Sequence, residues 1–253
     1  MKSRFYICVC VPIAVALFTA AVSSIPAAQT PTIRRAADGR PDISGVWQSG
    51  GVSLYGEQGR ATPPTSAPGA PPPPRREPPQ YQPSFAAKQK TFTAVDDPTA
   101  ACLLPGVPRI TSMPMPFEIV QTPKKIVILY ESFHAFRIIP IDDALKHPAD
   151  VTPTWMGDSV ARWDGNALVV DVVGFNDKTW LGGLGTIHSE DLHVVERFTP
   201  KADGTLAYEA TVTDPKALTK PWVTGATLRT PKDARVEEYE CIENNQDPAH
   251  MKK

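Results

Sequence analysis

The chain of 253 residues carries 26 basic and 27 acidic side chains, a formal charge of -1. That balance gives no field able to hold a polyanion and excludes nucleic acid as the expected partner. Hydrophobic residues at 42% and charged residues at 21% are ordinary globular usage, which excludes wholesale disorder and a multi-span membrane protein.

Lys2 and Arg4 precede an apolar run from Phe5 to Val22, and Ser23-Ser24-Ile25-Pro26-Ala27-Ala28 follows it. This is the three-part form of a secretory signal peptide. The expected organisation is a cleaved signal (1–28), an N-terminal strand with a proline-rich loop (29–97) and a β-barrel domain (98–253). The mature protein is then periplasmic or secreted, with no membrane association. An uncleaved anchor is the competing reading of the same run, which is just long enough to span a bilayer.

Cleavage removes Cys8 and Cys10 and leaves Cys102 and Cys241 as the remaining thiols. In an oxidising compartment an even pair tends to close, so a Cys102–Cys241 disulfide is expected, tying the segment before the first barrel hairpin to the last strand. Two unpaired buried thiols are the alternative.

Pro41-Asp42-Ile43-Ser44-Gly45-Val46-Trp47-Gln48 reads as a short strand entered through a turn. Ten prolines between Pro63 and Pro83 then remove backbone donors and favour polyproline II, so this stretch is a loop or linker. Helical periodicity is confined to Pro83–Thr93. From Phe117 onward short runs rich in Val, Ile and Tyr alternate with turn residues. Strands are predicted over Phe117–Gln121, Ile126–Glu131, Phe136–Ile141, Ser159–Trp163, Ala167–Val173, Leu192–Thr199, Thr205–Thr213 and Arg235–Ile242. Asp164-Gly165-Asn166 is a strong hairpin signal between two of them.

About eight antiparallel strands joined by tight turns need two packed sheets or closure into a barrel, and closure removes exposed edges. The expected fold is all-β, an antiparallel lipocalin-like barrel with a proline-rich N-terminal excursion. Gly45-Val46-Trp47 resembles the Gly-x-Trp that opens the first lipocalin strand. The stretches Thr154–Ser159, Asn166–Asp171, Gly174–Trp180 and His188–Phe198 resemble a large, poorly characterised group of exported proteins from soil bacteria. That second resemblance implies export and a β fold and supplies no chemistry.

Alternation along Leu192–Phe198 places Leu192, Val194, Glu196 and Phe198 on one face, and extending it upstream adds Glu190 and His188. An inward Glu196 is either an ion pair with Arg137 or Arg162, or a carboxyl with a raised pKa fit for acid-base work. Asp171 shares its face with Val169 and Val173, which makes it a second inward carboxylate or else a turn cap. His134, on the parity of Phe136 and Ile138, is either a ligand-facing group at the barrel mouth or a rim histidine. The glycines around Leu184, flanked by Trp180 on one side and His188, Glu190 and His193 on the other, suggest a mobile lid. The His-x-Glu spacing matches no zinc pattern, so no metal is expected, and no phosphate loop or dinucleotide fingerprint implies a cofactor.

Trp155, Trp163, Trp180, Trp222, Phe133 and Tyr130 could line a pocket for a ring-containing molecule or simply fill the core. Two functions follow. One is an exported lyase, isomerase or hydrolase acting on a small phenolic or partly apolar substrate. Its proton-transfer groups come from His188, Glu190, Glu196, Asp171 and His134, and Arg137 steadies developing charge beside Trp155, Trp180, Tyr130 and Trp222. The other is a lipocalin-type carrier of a similar small molecule, without catalysis.

Overall fold

The computed structural model describes residues 32–49, 77–183, 185–233 and 235–243. The expected signal peptide and most of the proline-dense stretch lie outside the described residues. The described residues contain nine strands: β1 Gly45–Ser49, β2 Phe117–Gln121, β3 Lys125–Tyr130, β4 Phe136–Pro140, β5 Asp158–Asp164, β6 Ala167–Val173, β7 His193–Pro200, β8 Leu206–Thr213 and β9 Trp222–Arg229. An α-helix, α1 (Pro83–Gln89), starts on its proline, whose missing N–H costs nothing in a first turn. Among the described residues no helix is long and apolar enough to cross a membrane.

The strands form one sheet in the order β4-β3-β2-β1-β9-β8-β7-β6-β5. Chain neighbours pair antiparallel from β1 to β4 and from β5 to β9, and β1 with β9 joins the two runs. Strand β1 changes partner midway: Gly45–Trp47 face β2, whereas Gln48 and Ser49 face β9. The free edges, β4 and β5, meet in a single parallel bridge between Ile141 and Ala161, and the Asp142 N–H donates to the Ala161 carbonyl at 2.8 Å. Nine alternating strands cannot close with every pair antiparallel, so one seam must be parallel. A parallel pair also needs a long connection, which 141–157 supplies. The fold is an all-β, nearly closed barrel, as the strand pattern predicts.

Period-two alternation builds the interior. Ile126 and Ile128, Leu168, Val170 and Val172, Val194 and Phe198, and Leu206, Tyr208, Ala210 and Val212 are all buried. The β5–β6 turn follows the Asp-Gly signal, with Gly165 in the left-handed region at φ +58 and Asp164 opposite Ala167.

The last strand departs from expectation. Trp222–Arg229 closes the sheet on β1, while 235–243 forms no strand. Once β9 has taken the available edge of β1, the Val-Glu-Glu-Tyr-Glu alternation finds no ladder to join. Instead the segment crosses the β3–β4 end of the barrel: the Glu237 N–H donates to Glu131 at 2.9 Å, and Glu240 lies 3.6 Å from His134. The Cys102–Cys241 disulfide fastens it there.

Candidate functional site

Two polar clusters stand out, one inside the barrel and one on its outer face. Inside, the register sets Val170, Glu196, Ala210 and Thr224 in one row across β6 to β9. The small neighbours of Glu196 leave room for a long side chain from the opposite wall, and Arg137 of β4 fills it. Its Nη2 donates to Glu196 Oε2 at 2.6 Å and to Ser159 Oγ of β5 at 2.9 Å, so the guanidinium also bridges the parallel seam. The Tyr208 hydroxyl donates to Glu196 Oε1 at 2.8 Å. Burial, then the Glu196 charge, pushes the Tyr208 phenol well above its ordinary pKa, which keeps it a donor. Burial disfavours the Arg137 charge, but Glu196 and the neighbouring Tyr130 outweigh it, so the guanidinium is held cationic. Tyr130 is itself pushed up, mainly by burial. Of the two readings open for Glu196, the ion pair with Arg137 is the one present.

On the outer face, Asp171 sits opposite Val195, one residue out of step with Val170 and Glu196. The expectation that it points inward with Val169 and Val173 is therefore corrected: those positions form the outward set of β6. The carboxylate joins two imidazoles. Asp171 Oδ1 lies 2.7 Å from Nε2 of His193 at the start of β7, and Oδ2 lies 3.0 Å from Nε2 of His147 on the connection 141–157. His147 Nδ1 in turn lies 2.6 Å from Asp158 Oδ1 at the start of β5. Burial works against ionisation of Asp171, yet the bonds from His193 and His147 prevail and hold its pKa below the ordinary value. The bond to Asp171 raises the pKa of His193, against partial burial. The His193 side chain is 42% exposed and that of Asp171 19%. An imidazole oriented by a carboxylate and open to solvent can take up and release a proton.

The remaining expected residues lie elsewhere. His188 is buried, with Nδ1 against the Ser189 carbonyl at 2.8 Å and Nε2 against Thr179 Oγ1 at 2.7 Å, a geometry in which the hydroxyl donates to the ring. Burial lowers its pKa. A Cβ on Gly106 would lie 2.6 Å from that hydroxyl, so the 106 backbone packs directly against Thr179. Glu190 occupies an exposed turn, because strand geometry starts only at His193 and parity cannot be carried back across the turn. His134 is likewise solvent-facing, beside Glu240, since Phe136 and Ile138, whose parity it shares, are the exposed residues of β4 while Arg137 and Ile139 point inward.

The aromatic residues occupy different environments. Tyr130 is inside the barrel, with its hydroxyl 3.3 Å from Thr111 Oγ1. Trp180 packs edge-on to Phe92, with centroids 5.4 Å apart. The Trp222 indole donates to the Glu77 carbonyl at 2.8 Å and borders a surface cleft of about 290 Å³. Trp155 is half-buried in the turn leading to Asp158. The segment around the expected lid is largely buried, from Trp180 to Ser189 apart from Gly183 among its described residues, and Gly185 abuts Gln89 at the end of α1 and Phe92 just beyond it.

His147 carries no motif, and only the crossover brings it to Asp171, whereas Asp158 is placed beside Asp171 by the β5–β6 pairing. Among the described residues no group of three or more His, Cys, Asp or Glu is placed to hold a metal ion. No family model matches the chain, and no curated protein matches its sequence.

Proposed function

We propose that the protein is an exported acid-base catalyst, working without an organic cofactor on a small phenolic or partly apolar molecule, with its centre on the outer face of the barrel. The observation that carries this reading is the Asp171 carboxylate shared by two imidazoles, one of which, His193, remains accessible. His193 is the proton carrier. Asp171 fixes its ring through Nε2, leaving Nδ1 to meet the substrate, and stabilises the imidazolium formed when a proton is taken. Trp155, in the turn leading to Asp158, supplies an aromatic surface at the same end of the sheet. The disulfide supports an oxidising compartment. The mature protein, assayed against phenolic esters, epoxides and phenolic dimers, should show turnover that falls at least about 100-fold in His193→Gln. Equal turnover by variant and parent would remove His193 from the mechanism.

A carrier function has one observation in its favour. Arg137 Nε and Nη1 and Thr224 Oγ1 are buried and have no hydrogen-bond partner among the described residues. Buried donors of this kind would meet an acceptor on a molecule held inside the barrel. Binding that persists in His193→Gln but is lost in Thr224→Val would favour the carrier.

A further inference from the structure

His147 holds both ring nitrogens against carboxylate oxygens, Nδ1 at 2.6 Å from Asp158 and Nε2 at 3.0 Å from Asp171. An ionised carboxylate only accepts, so two such bonds require a hydrogen on each ring nitrogen. We infer that His147 is an imidazolium clasped between Asp158 and Asp171, a positioning residue that fixes Asp171 for His193 and clips the 141–157 crossover to the barrel wall.

The surroundings fit a held cation. Asp158 reaches the ring from β5 and Asp171 from β6, and His193 of β7 lies beyond Asp171. The ring's own segment contributes Asp142, Asp143, Lys146 and Asp150. The Asp142 carboxylate is turned to the Ala144 N–H, and the other three are exposed. The His147 side chain is 14% exposed, so its charge is shielded from water and depends on the two carboxylates. Just before it, Leu145 takes a left-handed conformation at φ +49, a cost for a residue with a Cβ that the surrounding structure must offset. The clasp supplies that anchor at the parallel seam, where the Ile141–Ala161 bridge joins the two sheet edges.

Charge order gives the consequence for His193. A cation on one side of Asp171 draws on the carboxylate that also stabilises the imidazolium on the other side. His147 therefore moderates the proton affinity of His193 while locking the geometry of Asp171. The role in catalysis rests on the proposed function, but the clasp itself does not.

The test is ring-nitrogen NMR on the full mature chain. At about pH 7.5 both His147 nitrogens should carry hydrogen, and Asp158→Ala should move the Nδ1 resonance as that nitrogen loses its carboxylate partner. In His147→Gln the titration midpoint of His193 should rise by about half a pH unit or more. A neutral single tautomer of His147 at that pH, or a His193 midpoint identical in parent and His147→Gln, would overturn the inference. Neither readout depends on turnover, so loss of the catalytic reading would leave the clasp standing, and loss of the clasp would leave His193 to be judged by activity.

Discussion

Arg137 Nη2 and Glu196 Oε2 meet at 2.6 Å in the barrel interior, each side chain almost wholly removed from water. Removing one partner leaves the other charge buried and unpaired. Arg137→Ala or Glu196→Ala should each cost about 3–5 kcal/mol of stability. Arg137→Met combined with Glu196→Leu should recover most of that loss. Denaturant midpoints of the three variants check the prediction, and a double variant as unstable as the singles would contradict it.

The buried His188 ring has its pKa lowered by desolvation, so the native state favours its neutral form. Its contribution to stability is complete above the unfolded value of about 6.5 and is lost as pH falls toward the lowered native value. Urea midpoints measured from neutral pH down to about pH 5 should decline in the parent and decline less steeply in His188→Gln. Parallel profiles would show that His188 does not carry this dependence.

For His193 the sign is opposite. Asp171 raises its native pKa, so the contribution is present below about 6.5 and disappears as pH rises through the native value. Asp171→Asn should bring the His193 NMR midpoint down toward the ordinary histidine value, because the neutral amide no longer favours the imidazolium. Turnover should fall with it by roughly tenfold or more. An unmoved midpoint would mean that the 2.7 Å contact is not made in solution.

The disulfide closes a sequence separation of 139 residues, for which loop entropy sets a ceiling of about 5 kcal/mol. The described residues of 235–243 are exposed or half-buried and none pairs in a sheet. Reduction, or Cys102→Ser with Cys241→Ser, should therefore release this strap first. Limited proteolysis should cut within 235–243 while the barrel stays intact. Simultaneous loss of both would show that the strap belongs to the cooperative core.

Gly225 of β9 lies so close to β8 that a Cβ there would collide with the Tyr208 carbonyl oxygen. Gly225→Ala should separate the two strands locally and cost about 2–3 kcal/mol, read as a lower melting temperature with far-UV β signal retained. A neutral substitution would mean that the strand pair relaxes freely.

Alternation alone determined much of this protein. The β2–β3, β5–β6 and β7–β8 hairpins, the inward position of Glu196 and the Cys102–Cys241 pairing all follow from the sequence, because side chains two apart share a face and because two thiols remain once the expected leader is set aside. Parity failed where its premise did. Strand β6 has apolar residues buried on both faces, so its pattern does not show which way Asp171 points. The exposed Phe136 and Ile138 make the outer face of β4 read as a core. The pattern points to 235–242 rather than Trp222–Arg229 as the last strand, since pattern does not reveal which segment finds a free edge. Only the tertiary structure could bring His147 from the crossover to Asp158, Asp171 and His193: an odd number of strands forces a parallel seam, and the chain spanning that seam carries the histidine to the barrel wall.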